Sequence, residues 1–209
     1  MPRSNALLAC GVILAPLFYV TVVAQILTRT GFDITRHPLS LLSLGAGGWI
    51  QVANFLLTGF LAIACAVGMR RRLLHSPGGL WGPLLIATFG LGMIIAGLAP
   101  PDPLLGFPPG APAGIPAQIS GNAVFHGIGF LISFLSLIAA CFLFGWRFYR
   151  TKRPSWSAYC HATGVVTLLL IAAGFAIQSL TSLAFFVVGI IAFGWLSTIA
   201  AELMFRSSE

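Results

Sequence analysis

Six stretches of this chain are so long and so apolar that they dictate its solvent: residues 5–27, 48–69, 80–99, 122–146, 157–177 and 183–204. A membrane-spanning helix needs about 20 predominantly apolar residues. Hydrocarbon offers no water to backbone N–H and C=O groups, so each stretch has to be helical rather than extended. Charge bears this out, because only 7% of the 209 residues are charged, against about 25% in soluble domains. A chain so poor in charge cannot clothe a water-facing surface. The expected fold is all-α, a six-transmembrane-helix bundle forming a single integral membrane domain over residues 1–209. Its last two helices are joined tightly through residues 178–182.

The basic residues set the orientation. Arg3, Arg70, Arg71, Arg72, Arg147, Arg150, Lys152, Arg153 and Arg206 fall in one set of loops, and Arg29 and Arg36 in the other. The positive-inside rule places the first set, and both termini, in the cytoplasm. The expected location is the cell inner (cytoplasmic) membrane. A net charge of +7 would suggest nucleic acid in a soluble protein. Here it is divided into short runs between spans, so the expected partners are membrane lipids and not nucleic acid. Arg3, the apolar run behind it and Val22-Val23-Ala24 resemble a secretory signal. The run exceeds an ordinary signal core, and an uncleaved first helix is expected.

Two outer loops are long, residues 28–47 and 100–121. The second is rich in proline and glycine, which rules out a helix or a central strand there. Its apolar content suggests a stiff cover lying on the bundle. The four cysteines lie in the cytoplasmic halves of their helices, as small packing residues. Gln51, Asn54 and Gln178 are expected to find internal partners. Ala62 with Ala66, and Gly92 with Ala96, are spaced for close helix contact, within the bundle or in a homo-oligomer. Pro16 reads as an early break in the first span.

The first outer loop is the densest cluster of chemically capable side chains. Pro38 suits the first position of a helix and Gly45 its end, which predicts about two turns of short interfacial helix. His37, Ser40 and Ser43 recur every three residues and share a face. Asp33, one turn earlier, is placed to orient the His37 imidazole. The alternatives are a cap that anchors the loop at headgroup level, and a local Ser-His-Asp triad. The string from Asp33 through His37-Pro38-Leu39-Ser40-Leu41-Leu42-Ser43-Leu44-Gly45, with Gly48-Trp49-Ile50-Gln51 and Asn54, resembles the prokaryotic membrane family catalogued as domain-of-unknown-function family 998. Pro101-Asp102-Pro103 and His126-Gly127 also resemble its pattern. The resemblance implies a six-helix membrane protein and no established activity.

Asp102 and His126 are expected on the same side as Asp33 and His37. Two histidines with carboxylates are ligand types for a divalent metal such as zinc, whose bound water can attack an ester or amide. One reading is therefore an enzyme acting on a lipid-like substrate at the outer face by hydrolysis or transfer. His37, His126 and Asp102 would be metal ligands, and Asp33, His37, Ser40, Asp102 and His126 the catalytic set. The other is a non-enzymatic lipid-binding, carrier or assembly protein whose cluster is structural. A transporter is weaker, because no charged residue falls at the predicted midplane. A haem bridging His37 and His126 is geometrically open. His75 and His161 lie on the opposite side.

Overall fold

The computed structural model describes residues 2–74 and 76–205, excluding the side chains of Pro2 and Arg3. His75, Arg206 and Glu209 lie outside the described residues. Six helices are long and apolar enough to cross a membrane: α1 (Pro2–Thr28), α2 (Gly48–Arg72), α3 (Trp81–Leu98), α4 (Gly121–Arg150), α5 (Pro154–Ala176) and α6 (Thr181–Phe205). No strand occurs among the described residues. Each helix packs against its neighbours in sequence, and α6 closes back onto α1, so the six form a ring. Both long loops lie at one end of it, here the loop end. The arginine-rich connections lie at the other, the basic end.

Glycine sets the closest helix approaches. A Cβ on Gly59 would stand 2.6 Å from the Gly90 carbonyl oxygen, and one on Gly90 at 2.6 Å from that of Gly59, so α2 and α3 touch backbone to backbone. Gly92 and Gly129 repeat this between α3 and α4, at 2.6 and 2.7 Å. The spacing of Gly92 and Ala96 thus marks the stripe of α3 that receives α4. At the basic end Arg153 pairs with Glu202 at 2.5 Å and lies over the Phe148 and Trp156 rings. This ties the start of α5 to the last turns of α6.

Three local expectations are corrected. Pro16 does not break α1, which runs unbroken through it. Neighbouring helices and local adjustment absorb a missing N–H in a membrane helix. The loop segment after Pro38 is a five-residue 3-10 helix, Leu39–Ser43, and not two turns of α-helix. Pro38 stands outside it as the cap, and the Ser43 hydroxyl donates back to the Ser40 carbonyl at 2.6 Å, closing the turn. Gln178 is exposed in the turn before α6 rather than turned inward to a partner. Gln51 and Asn54 meet the expectation, with Gln25 as the unforeseen third member. The Gln25 amide donates to Gln51 Oε1 at 2.8 Å, and the Asn54 amide to the Phe18 carbonyl at 3.1 Å.

Candidate binding cavity beneath the loop end

The first loop is folded down by its own polar groups. Arg29, at the end of α1, donates to the carbonyls of Leu42, at 3.0 Å, and Leu44. The Ser182 hydroxyl of α6 donates to the Ile34 carbonyl at 2.7 Å. Leu41 and Leu42 of this loop are buried. The second loop lies on the first, with Arg29 over the Phe107 ring.

His37 joins the two loops. Its Nδ1 accepts the Asp33 backbone N–H at 2.9 Å, so Nε2 carries the proton and donates it to the Leu105 carbonyl at 3.1 Å. Phe32 and Phe107 flank the imidazole, each 5.5 Å away between ring centroids, and His37 is 3% exposed. Asp33 does hold this ring, but through its backbone. Its carboxylate accepts instead from the Thr35 N–H at 2.9 Å and the Thr35 hydroxyl at 2.7 Å. Both ring nitrogens of His37 are engaged, so no lone pair remains for Ser40, and a local triad does not form.

Asp102 closes the second loop. Its carboxylate accepts the Ser120 N–H at 2.8 Å, and the Ser120 hydroxyl caps α4 by accepting the Ala123 N–H at 3.1 Å. The bonding to Ser120 holds the Asp102 carboxyl below the usual carboxylate range. A depressed carboxyl contributes stability that is complete above its unfolded pKa, about 3.9, and is lost as pH falls through the folded value. The protection of the amides of residues 100–120, relative to their intrinsic exchange rates at each pH, is therefore expected to fall below about pH 4 in the wild type. Asp102→Asn should show faster exchange already at neutral pH and no acid-dependent step. An unchanged acid step in that variant would assign it to another group.

His126 does something else. Helix α3 ends on Pro100-Pro101-Asp102-Pro103. The N–H groups that would normally reach the carbonyls of Ala96 and Ala99 belong to residues 100 and 103, and proline has none. His126 supplies the missing donor, with Nδ1 2.9 Å from the Ala96 oxygen and 3.0 Å from the Ala99 oxygen. Two carbonyls only accept, so Nδ1 carries the proton and Nε2 of the neutral ring is a bare lone pair. That nitrogen has no protein partner among the described residues. Gly129, one turn further along α4, brings the ring down on the end of α3 by its contact with Gly92.

The His126 ring borders a cavity of about 90 Å³ inside the bundle. That is several times the roughly 10–15 Å³ one water molecule needs. Phe18, Phe55, Phe130, Phe134, Phe185 and Phe193 wall it, and Pro38, Leu39 and Ser40 of the first loop line its loop-end side. Of its polar groups, the Tyr19 hydroxyl donates to the Phe186 carbonyl and the Ser133 hydroxyl to that of Phe89, each at 3.2 Å. Among the described residues, the Ser40 hydroxyl and His126 Nε2 are the side-chain polar groups of this lining left without a partner. Phe130 and Phe185 stand 5.0 Å apart between centroids, and the exposed Phe175 of α5 closes on both at 6.0 and 5.2 Å.

The structure thus brings Ser40 and His126 to one cavity and leaves Asp33, His37 and Asp102 in the loops. Among the described residues no three of His, Cys, Asp and Glu form a group that could hold a metal ion. The zinc reading of His37, His126 and Asp102 is therefore left without a ligand set: the three form no such group, and both ring nitrogens of His37 are already bonded. His161 bonds its own turn at the basic end, with Nδ1 2.8 Å from the Ser157 carbonyl.

No curated protein and no solved structure matches the chain. Residues 12–202 match the family described as Protein of unknown function (DUF998), and the chain belongs to that family.

Proposed function

We propose that this protein binds a lipid-like molecule in the aromatic cavity and holds it there without chemistry, with the Asp/His cluster of the loops serving as architecture. The cavity carries the proposal: six phenylalanines surround an unpaired imidazole nitrogen and an unpaired hydroxyl. The excess of basic residues at the opposite end supports an outward-facing loop end. The ligand then comes from the outer leaflet, passing the phenylalanines where α4, α5 and α6 meet. A cavity of about 90 Å³ takes one chain segment or ring and not a whole phospholipid.

Photolabelling of native membranes with a diazirine-bearing long-chain lipid tests this. Label is expected on α4 and α6 around Phe130 and Phe185, reduced in Phe130→Trp, whose larger ring enters the cavity. Label confined to lipid-facing positions such as Val20 and Leu169, and unchanged in that variant, would refute it.

A second reading is acyl transfer or hydrolysis of the bound molecule. One observation favours it: a serine hydroxyl free of protein partners lines the same cavity as an imidazole whose tautomer leaves Nε2 as a base. On this reading a fluorophosphonate labels the wild type and spares Ser40→Ala. An unlabelled wild type removes it.

A further inference from the structure

The geometry points to an uncharged, hydroxyl-bearing amphiphile as the ligand, its hydroxyl donating to His126 Nε2 and accepting from the Ser40 Oγ–H. This rests on the binding role proposed above and specifies what is bound. No charged side chain lines the cavity. Of the first loop's two arginines, Arg29 is spent on the carbonyls of Leu42 and Leu44, and Arg36 is exposed and does not line the cavity. A phosphate or carboxylate placed there would lose water and gain no countercharge, which is prohibitive in an apolar site.

The two unpaired groups state what is missing. Nε2 only accepts, so the ligand must bring a donor. Ser40 can both donate and accept, so the ligand can also offer a lone pair. A hydroxyl supplies both from one oxygen. A hydrocarbon supplies neither and leaves both groups buried beside it unsatisfied, a loss for each. An ionised carboxylate has no proton to give and sets its charge against the imidazole lone pair. Ser40 and His126 make no hydrogen bond with each other, so both stay open to a ligand in the cavity they line.

The test uses full-length protein in phosphatidylcholine nanodiscs, with dodecanol, dodecanoate and dodecane compared at equal mole fraction by thermal shift. Dodecanol is expected to raise the melting temperature most. Ser40→Ala, which removes no bond that holds the fold, should need about tenfold more dodecanol for the same shift, the equivalent of one lost hydrogen bond. His126→Phe should lose the preference for dodecanol over dodecane. Equal shifts from dodecanoate or dodecane in the wild type, or an unaltered response in Ser40→Ala, would overturn the hydroxyl assignment. If photolabel still enters the cavity in that case, the binding role survives and only the ligand class falls. If the cavity is neither labelled nor responsive, both fall.

Discussion

Gly129→Val is expected to abolish the folded protein, seen as loss of a monodisperse peak and of a cooperative melting transition. A Cβ there would lie 2.7 Å from the Ala96 nitrogen and 2.7 Å from the Gly92 oxygen. Both obstacles are backbone atoms of α3, so no rotamer change relieves them. Moving α4 outward would strip His126 from the end of α3 and open the cavity between the helices. Overpacking typically costs about 1–3 kcal/mol where side chains can yield; here the cost should exceed the upper figure. Gly127, two residues earlier on the same helix, has open space within 4 Å of where a Cβ would stand. Gly127→Val should melt at or slightly above the wild type, since valine has the better helix propensity. Similar behaviour of the two variants would mean that α3 and α4 do not touch at Gly92 and Gly129.

His37→Ala should release the loops while leaving the helices assembled. It leaves the Leu105 carbonyl and the Asp33 N–H without partners and empties the space between Phe32 and Phe107. Losing the bond to the Leu105 carbonyl costs about 1–3 kcal/mol, and deleting the buried imidazole leaves a cavity besides, so the docking of residues 100–120 should weaken by about 3 kcal/mol or more. That is at least a hundredfold faster amide exchange, with much smaller changes in α2 and α3. Asp33→Asn is the contrast, because that carboxylate serves only Thr35 on an exposed turn, and exchange in the second loop should hardly change. If it accelerates as in His37→Ala, the carboxylate and not the backbone N–H holds the imidazole.

The transmembrane architecture was legible because lipid removes the alternatives to helix, and composition alone then locates the spans. The small-residue spacing at Gly92 and Ala96 also read through to the α3–α4 contact. The site was legible only in part. Ser40 and His126 were singled out, but as members of a set with His37, Asp33 and Asp102, which the structure divides between two tasks. Sequence spacing gives which residues share a side, not which way each ring nitrogen points. One signal was overlooked. Pro100 and Pro103 deprive Ala96 and Ala99 of their helical donors, so a donor from another element was required, and His126 is the polar residue facing that end. The aromatic wall was not legible at all, since phenylalanines from α1, α2, α4 and α6 are unremarkable in each helix and meet only when the ring closes.

The two loop-end histidines hold opposite tautomers, one committed to architecture and one open to a ligand. Nitrogen-15 NMR of histidine-labelled protein in nanodiscs tests it, with each ring assigned by single substitution. His37 should be protonated at Nε2 and indifferent to dodecanol. His126 should be protonated at Nδ1, and its Nε2 resonance should move upfield as dodecanol donates to it. A His126 protonated at Nε2, or two histidines responding alike, would contradict the account.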